Sequence, residues 1–292
     1  ITYSLNADGS QAFPSFKFAQ YSAYIQDEFT VSDRLKLTAG LRVEQPSYPD
    51  VSEIKTHQLV LDQTFANGEK INTGALPETR LAFSPRFGFN WDVKGDRSFQ
   101  VRGGTGIFTG RIPFVWLVSQ SGDAGLLQYT QAYNGQANTP GVFTPDINAY
   151  IPNPKAPAGT TIPGTISALS SDLKFPQTWK SNIGVDIKLP WGIVGTLEGI
   201  YGKDLYAAVA KNVNLNESNT FTIAGYPDNR PFFGANANGR QVVNTDAKGN
   251  VTTTGTQQVN VIKMTNAKGG YNWSATAQLS KQFERGLSVM VA

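Results

Sequence analysis

The sequence predicts an all-β protein: an antiparallel transmembrane β-barrel, of which this chain holds about eight strands. Three observations carry that prediction. Apolar and polar residues alternate with a period of two along much of the chain, which gives a strand one oily and one wet face. The connections between alternating runs are short and long in strict turn. The clearest runs are 10–13 residues long, against the roughly 9–11 that cross a bilayer at a tilt.

The first run covers Ala19 to Val31. Ala19, Tyr21, Ala23, Ile25, Phe29 and Val31 lie on one face, and Gln20, Ser22, Tyr24, Gln26, Glu28 and Thr30 on the other. The second, Leu35 to Glu44, alternates without a break: Leu35, Leu37, Ala39, Leu41 and Val43 against Lys36, Thr38, Gly40, Arg42 and Glu44. Leu81 to Trp91 sets Leu81, Phe83, Pro85, Phe87, Phe89 and Trp91 against Ala82, Ser84, Arg86, Gly88 and Asn90. Phe99 to Thr109 alternates only at Phe99, Val101 and Ile107. Gln177 to Leu189 carries Trp179, Ile183, Val185, Ile187 and Leu189 on its oily side. Ile193 to Tyr201 is mixed, because Val194 and Ile200 share a face with Glu198. Tyr271 to Phe283 is clear again, and an eighth strand starts at Leu287.

Ser32-Asp33-Arg34, Asp92 to Arg97, Pro190-Trp191-Gly192 and Glu284-Arg285-Gly286 are the short connections. Gln45 to Thr79, Gly110 to Pro176 and Lys211 to Gly270 are the long ones. Soluble β-sandwiches space their turns every 8–12 residues, and long structureless loops are uncommon in them. Outer-membrane barrels sort connections in this way, with short periplasmic turns and long extracellular loops. Lipid offers the backbone no hydrogen-bond partner, so a sheet in that setting closes on itself.

Outward aromatic residues fall into two groups, as expected for rings seated at the two membrane interfaces. Phe29, Phe89, Trp91, Phe99 and Phe283 lie near the short turns, with Trp191 in one of them. Tyr21, Phe83, Trp179, Tyr201, Tyr271 and Trp273 lie toward the loops. Asp27 and Lys281 fall on the oily face near short turns, where an outward charge costs roughly 0–1 kcal/mol. Pro85 cannot donate to the ladder, so a bulge or local opening is expected there.

Composition excludes other classes. Charged residues are 16% of the 292, against about 25% in an average soluble domain. No apolar run approaches the ~18 residues of a transmembrane helix. There is no cysteine, so disulfide scaffolds and cysteine-ligated metals are out. The 25 cations are nearly matched by 22 anions, which argues against nucleic acid as a partner. Five Trp, eleven Tyr and seventeen Phe argue against disorder. A chain that opens on Ile1 and ends inside the alternating run Leu287 to Ala292 reads as an internal piece of a longer protein.

Several segments resemble the barrel strands of TonB-dependent outer-membrane receptors. Tyr24-Ile25-Gln26-Asp27-Glu28-Phe29, followed by Leu35 to Arg42, resembles a "Y-x-Q-D-x-F … L-T-x-x-x-G-L-R" strand pair. Ser84 to Trp91 resembles the "S-P-R-x-G-x-x-W" strand, and Arg102 to Arg111 the "R-x-G-x-G-x-F-x-G-R" strand that follows it. Thr265 to Tyr271, and on through Phe283 to Leu287, looks like the Oar-like and SusC-like branch. The match covers most strands but not the long loops. It implies that residues 1–292 are part of a barrel domain of about 22 strands. The plug domain and the remaining strands would lie outside the chain, and two sheet edges would be open. The implied partners are outer-membrane lipid and the TonB complex, reached through that plug. For the SusC-like branch a surface lipoprotein lid is a further implied partner. The implied location is the bacterial outer membrane.

No set of residues supports an enzyme, and no cofactor or metal is expected. Gly103-Gly104-Thr105-Gly106 lacks the Gly-Lys-Ser/Thr ending of a phosphate loop and the spacing of a dinucleotide fingerprint. His57, the only histidine, reads as a solvated loop residue, since one histidine cannot build a metal or triad site alone. Asn244 to Asn250 faintly resembles a calcium loop, but Lys248 takes a ligand position and the distal Glu is missing. A hairpin tip between Gln241–Val243 and Val251–Thr253 is the stronger reading.

Candidate functional residues are therefore of two kinds. Glu28, Lys36, Arg42, Arg86, Arg102, Lys180, Asp186 and Glu198, with Glu44, are candidates for a polar lumen. Tyr129, Tyr133, Tyr150, Phe232 and Phe233, with Asn134 and Asn138, are candidates for extracellular contacts with sugar or peptide. The expected function is active outer-membrane transport of a large nutrient such as a glycan, peptide or metal chelate. The alternatives are a passive porin, a protein-export or adhesion barrel, and a secreted soluble β-rich glycan-binding domain. Porins use fewer residues per strand than the roughly 36 counted here, which favours the large receptor.

Overall fold

The computed structural model describes residues 1–130, 140–234, 240–246, 248–253, 255 and 257–292. In chain order the strands are β1 (Thr2–Ser4), β2 (Lys17–Ser32), β3 (Leu35–Asp50), β4 (Ala82–Asp92), β5 (Phe99–Thr109), β6 (Gln128–Thr130) and β7 (Thr165–Leu169). They continue with β8 (Gln177–Leu189), β9 (Ile193–Asn212), β10 (Thr220–Phe221), β11 (Phe232–Phe233), β12 (Asn260–Ala267), β13 (Tyr271–Gln282) and β14 (Ser288–Val291). Two short helices, α1 (Gln58–Asp62) and α2 (Val115–Gly122), lie in the loops.

The eight expected strands form one antiparallel wall in the order β2-β3-β4-β5-β8-β9-β13-β14. Each pairs with its neighbours in sequence, skipping only loop strands, so the wall is an up-and-down meander. It is not closed: among the described residues, β2 and β14 are its two open edges.

Registers tie the faces together. One row runs Gln26–Gly40–Arg86–Gly106–Lys180–Gly202–Asn272 across seven strands. The next row on the opposite face runs Ala39–Phe87–Thr105–Ser181–Tyr201–Trp273. Residues directly opposite share a face in an antiparallel sheet. The apolar sets read from the sequence therefore coincide on one side of the wall, and the polar sets on the other. Tyr21, Ile25, Ile183, Leu197 and Trp273 on the apolar side are all exposed.

Two strands, β3 and β9, run well beyond what the alternation indicates. β3 continues to Asp50 through Pro46 and Pro49. Above Glu44 it pairs only with β2, and a free edge tolerates proline. β9 runs on to Asn212, because Ala207 to Ala210 is apolar at every position and carries no period of two. The expected long loop from Lys211 to Gly270 is correspondingly shorter. β12 closes it and pairs with the upper part of β9, from Ala207↔Ala267 to Asn212↔Ile262. β13 then continues along the same edge of β9.

Pro85 opens the wall locally. β4 is paired to β3 as far as Glu44↔Ala82, but its ladder with β5 ends at Arg86↔Gly106. Beyond that point side chains bridge the split: Ser84 Oγ and Thr109 Oγ1 lie 2.9 Å apart, and Gln177 Nε2 donates both to Thr109 Oγ1 at 2.9 Å and to the Phe83 carbonyl at 3.4 Å.

The hydrophobic core lies in the loops. Val60, Phe65, Ile71, Ile162, Ile166, Val213, Val259 and Val261 form one buried cluster, and Ile54, Ile112, Leu117, Leu169, Leu173 and Phe175 a second. Among the described residues Pro46 of β3 is the one buried apolar side chain that the eight-stranded wall contributes. The three long connections thus fold together as one body. β7 and β12 pair in parallel inside it, from Thr165↔Asn260 to Leu169↔Met264. Burying a side chain such as Ile166 or Val261 is worth about 1.5–3 kcal/mol, enough in sum to hold loops that would otherwise be costly to order.

Candidate functional site: the polar face and its loop body

All eight lumen candidates fall on one face of the wall, because their registers chain through shared partners (Lys36↔Asn90↔Arg102↔Gly184↔Glu198, for example). The loop body packs on that same face at its upper end. Phe18, on the polar side of β2, meets Tyr48, Phe114 and Phe175 at ring-centroid distances of 5.5, 4.7 and 6.3 Å. Glu44 and Ser84 are buried there.

The candidates sort into small networks. Arg102 Nε donates to Asp186 at 3.1 Å and Nη1 to Glu198 at 3.4 Å, and Thr196 Oγ1 donates to the other oxygen of Asp186 at 2.6 Å. Arg42 Nη2 donates to Glu44 at 3.0 Å and to Ser22 Oγ at 3.1 Å, while Gln20 Nε2 donates to Glu44 at 2.9 Å. Lys36 and Glu28 form an exposed pair at 3.3 Å. Arg86 stacks over the Phe108 ring at 4.7 Å. Arg86 and Lys180 flank Gly106 in one row, and neither has an ion-pair partner among the described residues. The structure thus brings together two arginine–carboxylate clusters and one uncompensated pair of cations.

Glycines make room for these side chains. A β-carbon on Gly106 would stand 3.1 Å from Arg86 Cγ, and one on Gly40 3.4 Å from Gln26 Cγ. Gly103-Gly104-Thr105-Gly106 is interior to β5 and is no loop at all. Phe89 covers Gly103 from the apolar side, so closely that a β-carbon there would stand 2.8 Å from its ring.

The loop candidates separate. Tyr129 is buried, 5.9 Å from the Tyr3 ring, and its hydroxyl donates to the Ile162 carbonyl at 3.3 Å, so it serves the loop body rather than its surface. Tyr133, Asn134 and Asn138 lie outside the described residues. Tyr150 donates its hydroxyl to the Val142 carbonyl. Phe232 and Phe233 form β11, paired with β10; Phe232 stacks on Phe221 at 6.0 Å and meets Tyr226 edge-on at 5.6 Å. The residues thus share no single site.

His57 corrects the sequence reading. It is fully buried, with Nε2 3.0 Å from the Thr161 carbonyl and its backbone N–H donating to Thr73 Oγ1 at 2.8 Å. A single histidine in a polar stretch gives no sign of burial when the ring's partner, Thr161, lies 104 residues away. Burial pushes its pKa below the usual histidine value. At Asp246 the loop satisfies itself: the carboxylate accepts from Lys248 N, Asn250 N and Asn250 Nδ2 at 2.8–3.0 Å, which holds it below the usual carboxylate range. Thr245 and Val251 bridge across that tip, so the hairpin turn is present, with its pairing centred on 244–246 and 250–252.

Sequence reasoning missed the amides that join the loops. Gln120 Nε2 donates to the Thr73 and Ala75 carbonyls at 2.8 and 2.6 Å, and its Oε1 accepts from Leu169 N at 2.7 Å. Asn214 Nδ2 donates to the carbonyls of Val243 and Val259, both at 2.8 Å, and Oδ1 accepts from Val243 N. Lys263 pairs with Glu69 at 2.7 Å. Among the described residues no group of three or more His, Asp or Glu is placed to hold a metal.

An open antiparallel wall with one exposed apolar face, one polar face and its long loops gathered at one end is a section of a transmembrane β-barrel. The sequence model of the outer membrane beta barrel domain matches residues 2–292, and the chain belongs to that family. Its place is the bacterial outer membrane. No curated protein matches the chain. Among solved structures the chain is similar to the outer membrane transporter YddB from Escherichia coli, at 11% identity and a TM-score of 0.45 over 90% of the chain. It is also similar to the siderophore receptor PirA from Acinetobacter baumannii, at 16% identity and a TM-score of 0.46 over 92%. The copper transporter OprC matches at 13% identity and a TM-score of 0.41 over 94%. The chain spans 21%, 26% and 27% of those three chains.

Proposed function

We propose that the chain is part of the wall of a TonB-dependent importer, which takes up a large nutrient such as a glycan, peptide or metal chelate. The observation that carries this reading is the loop body. Three long connections share one hydrophobic core and sit on the polar face at one end of the wall. Such a fixed rim narrows one mouth of the pore and presents a shaped surface to a ligand, as a receptor needs and an open diffusion pore does not. The polar face is then the lumen, lined by Arg42, Arg86, Arg102, Lys180, Asp186 and Glu198. Energy would come from the TonB complex through a plug outside this chain. The resemblance of Thr265 to Leu287 supports an Oar-like or SusC-like branch, the second of which would add a surface lipoprotein lid. The reading is non-enzymatic.

The test is genetic and uses the full-length protein. One strain lacks the gene and another lacks TonB, and both grow on glycans, peptides and ferric chelates as sole sources. An importer predicts a shared lost substrate. Loss confined to the first strain indicates a passive porin. Full-length protein that stays monomeric in plain buffer, and migrates identically boiled and unboiled, would point instead to a soluble glycan-binding domain.

A further inference from the structure

The opening at Pro85 has a second consequence on the apolar face. There it leaves a notch of about 390 Å³, lined by Pro85, Phe87, Thr105, Ile107, Trp179 and Leu205, with Arg86 and Gly106 at its border. Pro85, Phe87, Thr105, Ile107 and Trp179 belong to the apolar side by register. The polar atoms at its floor are consumed: Trp179 Nε1 donates to Thr105 Oγ1 at 2.7 Å, and Thr105 Oγ1 lies 2.7 Å from Ser181 Oγ. A lining that is mainly apolar, with its Thr105 hydroxyl and Trp179 indole N–H already paired, suits hydrocarbon better than a sugar.

Lys203 stands beside this notch. It occupies the apolar-face row Ile107–Trp179–Lys203–Tyr271. It is exposed and forms no ion pair among the described residues. Tyr201 meets Trp179 edge-on at 6.1 Å and stacks on Tyr271 at 6.5 Å, so the lysine rises out of an aromatic cluster. The sequence reading ended the strand at Tyr201 and so did not meet this charge. An unpaired cation at the loop end of a lipid-facing surface is placed for an anionic headgroup.

We propose that the notch and Lys203 together form a site for one outer-leaflet lipid with a phosphorylated headgroup. An acyl chain lies against Phe87, Ile107, Trp179 and Leu205, and a phosphate oxygen meets the Lys203 ammonium. The acyl chain fills the gap left where β4 and β5 part, and the phosphate supplies the lysine with its missing counter-charge. The proposal rests on the apolar face being the one in contact with lipid.

The experiment reconstitutes the full-length protein in phosphatidylcholine vesicles containing a trace of chain-spin-labelled phosphatidic acid or, in parallel, labelled phosphatidylcholine. The motionally restricted fraction of each label is then measured. Wild type is expected to prefer phosphatidic acid about fivefold, the effect of one lysine near a surface. Lys203→Gln is expected to lose that preference, while Lys281→Gln, on the same face at the short-turn end, keeps it. Leu205→Trp, which fills the notch, lowers the restricted fraction of both lipids. Each variant is first checked for the heat-dependent migration of a folded barrel. A preference unchanged in Lys203→Gln overturns the lipid site. The absence of any restricted lipid in wild type overturns instead the lipid-facing assignment beneath it. Cross-linking of two copies through this face would give the notch to a second chain and also overturn the site.

Discussion

Arg102 reaches Glu198 by crossing the bare backbone of Gly184. The three residues are directly opposite one another on β5, β8 and β9, so the ion pair spans two strand intervals rather than one. A β-carbon on Gly184 would stand 3.1 Å from Arg102 Cζ. The guanidinium therefore lies flat on the strand between its own and its partner's, and Asp186 on that middle strand holds its near edge at 3.1 Å.

The first prediction follows from that crossing. Gly184→Leu should lift the guanidinium off β8 and break the 3.4 Å contact with Glu198. These side chains are about a third exposed, so solvent screens the pair and its worth is at most about 1 kcal/mol. The measurement is a double-mutant cycle on urea unfolding of the full-length protein in detergent. Glu198→Gln should destabilise wild type by up to that amount and leave Gly184→Leu unaffected. An equal cost in both backgrounds would show that Gly184 does not make room for the pair.

Gln120 is the residue whose loss should loosen the loops most selectively. Its amide satisfies Thr73, Ala75 and Leu169, which lie on two different connections. Gln120→Leu keeps the bulk but leaves the buried Thr73 carbonyl and Leu169 N–H, and the half-buried Ala75 carbonyl, without this partner, at about 1–3 kcal/mol for each buried group. Limited proteolysis should cut the loop body of this variant much faster than wild type, while barrel migration on unheated gels stays unchanged. Simultaneous loss of both would mean that loops and wall unfold as one unit.

The wall was legible in the sequence and the loop body was not, for one physical reason. A strand with lipid on one side and a polar face on the other writes its environment into every second residue, so Leu35 to Glu44 could be read alone. The loop core is assembled from Val60, Ile166, Val213 and Val261, which lie on three separate connections and are brought together only by tertiary folding. The same holds for His57 and Gln120, whose partners are distant in sequence. Alternation also fails where both faces are alike, which is why the upper half of β9 was missed and Lys203 with it.

His57 gives the loop body a pH dependence of defined sign. Burial depresses its pKa in the folded protein, while the unfolded chain titrates near the ordinary value of about 6.5. The stabilising difference is fully present above pH 6.5. It is lost progressively as pH falls from there toward the folded pKa, because the unfolded loops take up the proton first. Hydrogen exchange of amides in the loop body should therefore accelerate between pH 7.5 and 5, after correction for intrinsic rates. His57→Gln should flatten that dependence at the cost of some stability at neutral pH. A variant that keeps the full acid sensitivity would assign it to a group other than His57; Asp123, whose burial raises its pKa, acts with the opposite sign and stabilises the folded loops as pH falls.

Trp191 combines a backbone cost with a membrane anchor, and the two can be separated. It sits in the turn between β8 and β9 at φ 62° and ψ 22°, followed by Gly192 at φ 71°. A left-handed conformation costs a residue with a β-carbon roughly 1–2 kcal/mol, and asparagine tolerates it better. The indole is 83% exposed, so protein packing does not repay that cost. An interfacial position would, since tryptophan favours the headgroup region. Trp191→Asn should then raise the urea midpoint slightly in a short-chain detergent, where no ordered interface exists. In phospholipid bilayers the same change should lower it, because the turn loses its anchor. Equal destabilisation in both media would refute the anchor and point to an indole contact made within the complete barrel.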